Sequence, residues 1–216
     1  MRMKKILTEE EIEENKKLYI ALLKSIDRPR SKIDELIEVL EKSDFFIAPA
    51  SSKYHNAFKG GLCQHCLNVY SNMQTLAKNI DTLDPACYDE NSLIISALLH
   101  DISKMNIYEI TTKNVKQYHS AGSKKDDLGR FDWKTELGYA TKENKFVYGN
   151  HEETSEYIAR QYINLTIDES VAILHHMGGM SWDSSQTPLS TVFPVYSLAL
   201  LLHIADMLAT YVNERE

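Results

Sequence analysis

Apolar residues recur at three-to-four spacing through most of this chain, and that spacing predicts a largely helical protein. Thr8 is placed to cap a first helix with acidic residues in its opening turn. Ile12, Leu18, Ile20, Leu22 and Leu23 give that helix an apolar side up to Asp27-Arg-Pro29. Ser31-Lys-Ile-Asp34 has the form of a capping box with Asp in the Glu position, opening a second helix through Ile33, Leu36, Ile37 and Leu40. Residues 44–61 read as a loop closed by Gly60-Gly61. A helix from about 62 to 80 follows, with Leu62, His65, Cys66, Val69, Met73, Leu76 and Ile80 turned inward. Asn91 is the expected cap of the next helix, Ser92 to Lys104, which is nearly all apolar until His100 and therefore central and buried.

Residues 105–150 change character. Ile107-Tyr-Glu-Ile-Thr-Thr and Lys145-Phe-Val-Tyr148 have strand-like residues around a polar stretch at 120–130, which predicts an excursion with a small hairpin. Helical spacing returns at Glu152–Tyr162, at Asp168–Met177 with Asp168 as cap, and in a long helix from about 188 to 212. Pro188 and Pro194 blur the start of that last helix.

The fold class expected is thus all-α, a helical bundle with a small β excursion. Residues 1–44 pack as N-terminal helices on a core of residues 45–216, one structural domain overall. A length of 216 residues suits one domain with a sizeable core. No stretch approaches the roughly 20 apolar residues that span a bilayer, and the basic N-terminus runs directly into Thr8-Glu-Glu-Glu rather than an apolar leader core. A cytoplasmic protein with no membrane partner is expected. A net charge of −7 argues against a duplex nucleic acid partner but leaves room for a small phosphorylated substrate, because a bound cation supplies positive charge locally. Cys63, Cys66 and Cys87 read as free thiols. Cys63-Gln-His-Cys66 lacks the second half of a zinc knuckle, so its cysteines read as small core-facing residues.

The candidate chemistry lies in His65, His100-Asp101, His151, His175-His176 and Asp206, all in or beside helices with apolar stripes. A buried histidine is often only a satisfied core residue, and His100 could simply meet its helix dipole. Asp206 is harder to explain that way. A carboxylate inside Leu-Ala-Leu-Leu-Leu-His-Ile-Ala-Asp-Met-Leu-Ala must be paired, protonated or bound to a cation. Imidazoles with carboxylates suit Mn, Fe, Co, Zn or Ni better than Ca or Mg alone, and a pair of divalent ions offsets their shared desolvation most simply.

The order His, His-Asp, His, His, Asp resembles the HD-domain superfamily of metal-dependent phosphohydrolases, in particular its dinuclear subgroup. The flanks that carry the likeness are Gly60-Gly-Leu-Cys-Gln-His65, Leu98-Leu-His-Asp-Ile-Ser-Lys104, Gly149-Asn-His151-Glu-Glu, Ala172-Ile-Leu-His-His-Met-Gly178 and Leu201-Leu-His-Ile-Ala-Asp206. The resemblance implies one metal held by His65, His100, Asp101 and Asp206, and a second by Asp101, His151 and His176. Either His175 or His176 could serve, and the flanks favour His176. It also implies a metal-bridging hydroxide attacking phosphorus in a nucleotide or other phosphorylated small molecule. Magnesium stands beside the transition metals as a candidate.

Two further residues and one basic cluster have both a functional and a plain reading. Lys104 could bind a phosphate oxygen or orient the leaving group, or it could only serve the helix end. His55, in the loop Ser52-Lys-Tyr-His-Asn-Ala-Phe-Lys-Gly-Gly, could approach substrate or sit on the surface. Lys113, Lys116, Lys124, Lys125 and Arg130, interleaved with Tyr118 and Phe131, read as a solvated loop in preference to a phosphate-facing lid. The same ligand order also suits a phosphodiesterase acting on oligonucleotides or cyclic nucleotides, a di-iron oxygenase, or a nucleotide-sensing module without catalysis.

Overall fold

A computed structural model describes residues 6–79, 88–178 and 188–214. Ile80 and Cys87, considered above, lie outside them. Helix α1 (Glu9–Ser25) starts at a complete capping box, with Thr8 Oγ1 accepting from Glu11 N at 3.2 Å and Glu11 Oε2 accepting from Thr8 N at 2.7 Å. Helix α2 (Ile33–Lys42) does not use the expected box. Lys32 is its N-cap without a side-chain bond, and Ser31 Oγ instead accepts from Asn164 N at 3.1 Å. Helix α3 (Gly61–Asn79) follows the loop as predicted.

Helix α4 (Glu90–Leu99) is capped by Asp89, whose Oδ1 accepts from Ser92 N at 2.7 Å. Asn91, the expected cap, accepts from Asp27 N at 2.8 Å and so ties the end of the α1 turn to this helix. Every residue from Ser92 to Leu99 is buried, which agrees with a central helix. It stops earlier than the apolar run suggests: His100 is its C-cap, and Ile102–Lys104 form a separate 3₁₀ turn.

The excursion is larger than a small hairpin. Strands β1 (Tyr108–Tyr118), β2 (Lys124–Asp126) and β3 (Gly129–Thr141) form an antiparallel sheet in the order β1-β3-β2. Tyr108 pairs with Thr141 at one end and Tyr118 with Phe131 at the other. Period-two alternation puts Tyr108, Ile110 and Tyr118 on one face with Phe131, Trp133 and Leu137. Much of that face is open to solvent, Ile110 at 71% and Leu137 at 75% exposure. Lys145–Tyr148 is not a strand.

Helix α5 (His151–Tyr162) is capped by Asn150 and helix α6 (Ile167–His175) by Thr166, each with a Glu three residues on completing a capping box. Thr166 thus takes the role expected of Asp168, which lies within the first turn. The long terminal helix is divided. Pro188 caps a short α7 (Leu189–Val192), and Pro194, which has no N–H to give, falls in the break before α8 (Ser197–Leu208). A π-helical turn, Ala209–Asn213, extends α8.

Two apolar clusters hold the helices. One joins α1, α2 and the Phe45-Phe46 loop to α3, α4 and α5 through Tyr19, Leu36, Phe45, Leu62 and Leu98. Cys63 and Cys66 are buried free thiols within it, as small core-facing residues would be. The other packs α8 on α3, α4 and α6 through Met73, Ala97, Ala172, Leu198 and Leu202. No helix among the described residues is long and apolar enough to cross a membrane.

Candidate metal centre

The six residues nominated from the sequence converge between these clusters. His65 comes from the second turn of α3, His100 and Asp101 from the end of α4, His151 from the first position of α5, His176 from the C-cap of α6 and Asp206 from α8. His65, His100, Asp101 and His176 are at most 1% exposed. His175 is half-buried and belongs to none of the groupings that could hold a metal.

The two oxygens of Asp101 divide the cluster. Oδ2 lies 3.6 Å from His65 Nε2 and 3.4 Å from His100 Nε2. Oδ1 lies 3.9 Å from His151 Nε2 and 3.7 Å from His176 Nε2. Asp206 Oδ1 stands 3.2 Å from His65 Nε2, and His65 Nε2 stands 3.3 Å from His100 Nε2. Two atoms bound to one metal at about 2.0–2.2 Å are about 3–3.5 Å apart, so these separations suit a shared cation better than direct hydrogen bonds.

Proton positions lead to the same conclusion. His100 donates Nδ1–H to Ala97 O at 2.9 Å and His176 donates to Ile173 O at 2.8 Å. His65 donates Nδ1–H to Glu214, at 3.0 and 3.2 Å from its two oxygens. In the neutral rings each Nε2 then carries a lone pair turned toward the centre. Asp101 Oδ1, His151 Nε2 and His176 Nε2 are buried there without a hydrogen-bond partner. Facing lone pairs and orphaned acceptors need a positive charge among them, and the donor set fits divalent transition metals.

The electrostatics describe the same strain. Burial opposes the charge on Asp101, yet Lys104 and His100 outweigh it and hold the carboxyl well below its ordinary range. Burial also opposes protonation of His65, but Glu214 and Asp206 push that ring up to about 10. His176 is driven down to about 3 by burial, with His100 adding to the fall and Asp101 too weak to reverse it.

Lys104 Nζ reaches Asp101 Oδ2 at 2.6 Å, so this lysine is engaged with the centre's own carboxylate. His55 lies with its ring 4.8 Å from that of His65, and its buried Nε2 has no hydrogen-bond partner. Both line a cavity of about 870 Å³ that opens onto Asp101, His151, His176 and Asp206. Lys53 and Lys145 also line it. Lys113, Lys116, Lys124, Lys125 and Arg130 do not line it. They belong to the sheet, where Lys116 pairs with Asp126 at 2.6 Å and lies 4.6 Å over the Phe131 ring.

Glu214 and Lys145 went unnoticed in the sequence. Glu214 lies just past the terminal helix expected from about 188 to 212, and Lys145 opens the strand-like run Lys145-Phe-Val-Tyr148. Lys53 stands two residues before His55 in the loop, where a lysine has no local pattern to mark it.

Fold and cluster together define a helical domain able to hold divalent metal. Residues 62–211 match the HD domain model, and the chain belongs to the HD-domain family. Members of that family bind divalent metals and are generally hydrolases. No curated protein and no solved structure matches the chain significantly.

Proposed function

We propose that this protein is a metal-dependent phosphohydrolase acting on a nucleotide or another small phosphorylated molecule at a dinuclear centre. The observation that carries the reading is the set of orphaned acceptors on Asp101, His151 and His176, facing a cavity that also presents Lys53 and Lys145. In this reading His65, His100, Asp101 and Asp206 hold one cation, and Asp101, His151 and His176 hold the other. Bound divalent ions would supply a hydroxide nucleophile near neutral pH and offset charge gathering on phosphoryl oxygens.

The chain's own residues do the rest. The Nδ1–H bonds of His65, His100 and His176 fix which nitrogen is offered to the cations. Lys104 steadies Asp101 and borders the substrate space, where its ammonium can meet a phosphate oxygen. Lys53 and Lys145 bind outlying phosphate oxygens. His55 offers its free nitrogen to the substrate from the loop side. Tyr54 and Tyr211, 77% and 53% exposed at the rim, give flat surfaces against which a base can rest.

The test loads purified protein with Mn, Fe, Co or Mg and measures phosphate release from nucleoside mono-, di- and triphosphates, cyclic dinucleotides and short RNA. Asp101→Ala is the control. Metal-dependent release that Asp101→Ala abolishes is expected. Oxygen consumption by the iron form with no phosphate release from the manganese form would overturn hydrolysis in favour of oxidation. Failure to bind metal stoichiometrically would leave a sensing module.

A further inference from the structure

Two of the buried imidazoles obtain an acceptor for Nδ1–H from their own helix. His100 and His176 are C-caps, where the last carbonyls of a helix have no intrahelical donor, and each ring uses the carbonyl three residues back. His65 has no such recourse. It lies in the second turn of a helix of 19 residues, where the carbonyls behind it are taken by the helix itself. Its Nδ1–H must find an acceptor elsewhere, and finds Glu214, 149 positions along the chain.

Glu214 is held for this task. Its N–H closes the π turn by donating to Ala209 O at 2.9 Å, and such turns recur at functional positions because they re-aim the residues around them. Its Oε1 accepts from Asn68 Nδ2 at 2.9 Å. Asn68 Oδ1 accepts from Gln64 Nε2 at 2.8 Å, and Gln64 Oε1 from Asn15 Nδ2 at 3.0 Å, so a chain of amides runs from α1 to the carboxylate. The last helix thereby grips His65 on both sides, with Asp206 at Nε2 and Glu214 at Nδ1. Glu214 lies past the segment that matches the family.

We infer that Glu214 is a positioning residue for the metal centre. It accepts the hydrogen bond from Nδ1–H of His65, fixes the tautomer that offers Nε2, and makes that nitrogen a stronger electron-pair donor to a cation. The inference rests on the proposed centre. Manganese titration of the full chain should show Glu214→Ala binding roughly 10–100-fold more weakly than wild type. Glu214→Gln keeps an acceptor without the charge and should fall between the two, and Asn68→Ala should show a smaller loss than Glu214→Ala. In the zinc-loaded protein, two-bond proton–nitrogen spectra should show His65 as the pure Nδ1–H tautomer in wild type and altered in Glu214→Ala. A merely structural role would not move that signature. Wild-type affinity in Glu214→Ala, with the His65 tautomer unchanged, overturns the inference while leaving the centre standing. A wild-type protein that binds no manganese overturns the centre, and this role with it.

Discussion

At Gly61 the chain turns out of the loop and into α3 so closely that an added Cβ would stand 2.0 Å from Asn56 O. That atom is backbone and cannot step aside as a side chain could. Gly61→Ala should therefore destabilise the protein by about 3 kcal/mol, and the melting temperature should fall roughly 6–12 °C. The glycine was legible in the sequence only as the end of a loop, because the approach of Asn56 is a three-dimensional fact. The histidines and aspartates were more legible, since a charged or titratable group inside an apolar helix is conspicuous in one dimension. The flanks favour His176 over His175, and His176 is the buried ring of the pair, following directly on the end of α6 at His175. Glu214 was illegible because its neighbours along the chain are polar and its partner is remote.

Element boundaries depend on hydrogen bonds, and long-range ones defeated local patterns at α2 and α4. Ser31 and Asn91 both look like caps, but each spends its oxygen on a distant backbone N–H, from Asn164 and Asp27 respectively. The sheet was under-read because one face carries Thr112, Asn114 and Lys116 between its apolar residues and remains largely exposed, so alternation is weak. Helix α6 shows how much one terminal residue can hold. Glu169 accepts from Thr166 N at 2.8 Å, from Ser92 Oγ at 2.7 Å and from Arg28 Nη2 at 2.5 Å, all with its side chain fully buried. Glu169→Ala removes half of a capping box and leaves a largely buried guanidinium with only the more distant Asp89, at 4.0 Å, as an anionic partner. A loss of about 3–5 kcal/mol in chemical denaturation is expected. Thr166→Ala, which deletes the other half, should lose only about 1 kcal/mol.

Across the whole molecule, the centre draws residues from five helices and lies between the two apolar clusters, so a bound cation should act as a cross-brace. Manganese at about 100 times its dissociation constant contributes about 2.7 kcal/mol and should raise the melting temperature by roughly 5–11 °C. EDTA should reverse the rise, and scanning calorimetry would register both. Substrate grip should be separable from chemistry. Replacing Lys53 and Lys145 together by Ala removes binding shared by ground and transition states, so KM should rise roughly tenfold or more with kcat within about twofold. Steady-state kinetics on whichever phosphorylated substrate proves active would test this. The sheet, finally, is entered and left by one doorway: Lys142 N donates to Ile107 O at 2.8 Å, and Tyr108 faces Thr141. It is therefore a detachable cassette, one that could be excised at residues 109–140 and replaced by an Asn-Gly turn. The shortened protein should keep its helical circular dichroism and its manganese affinity, and the same doorway could receive a foreign hairpin and hold it beside the mouth of the cavity.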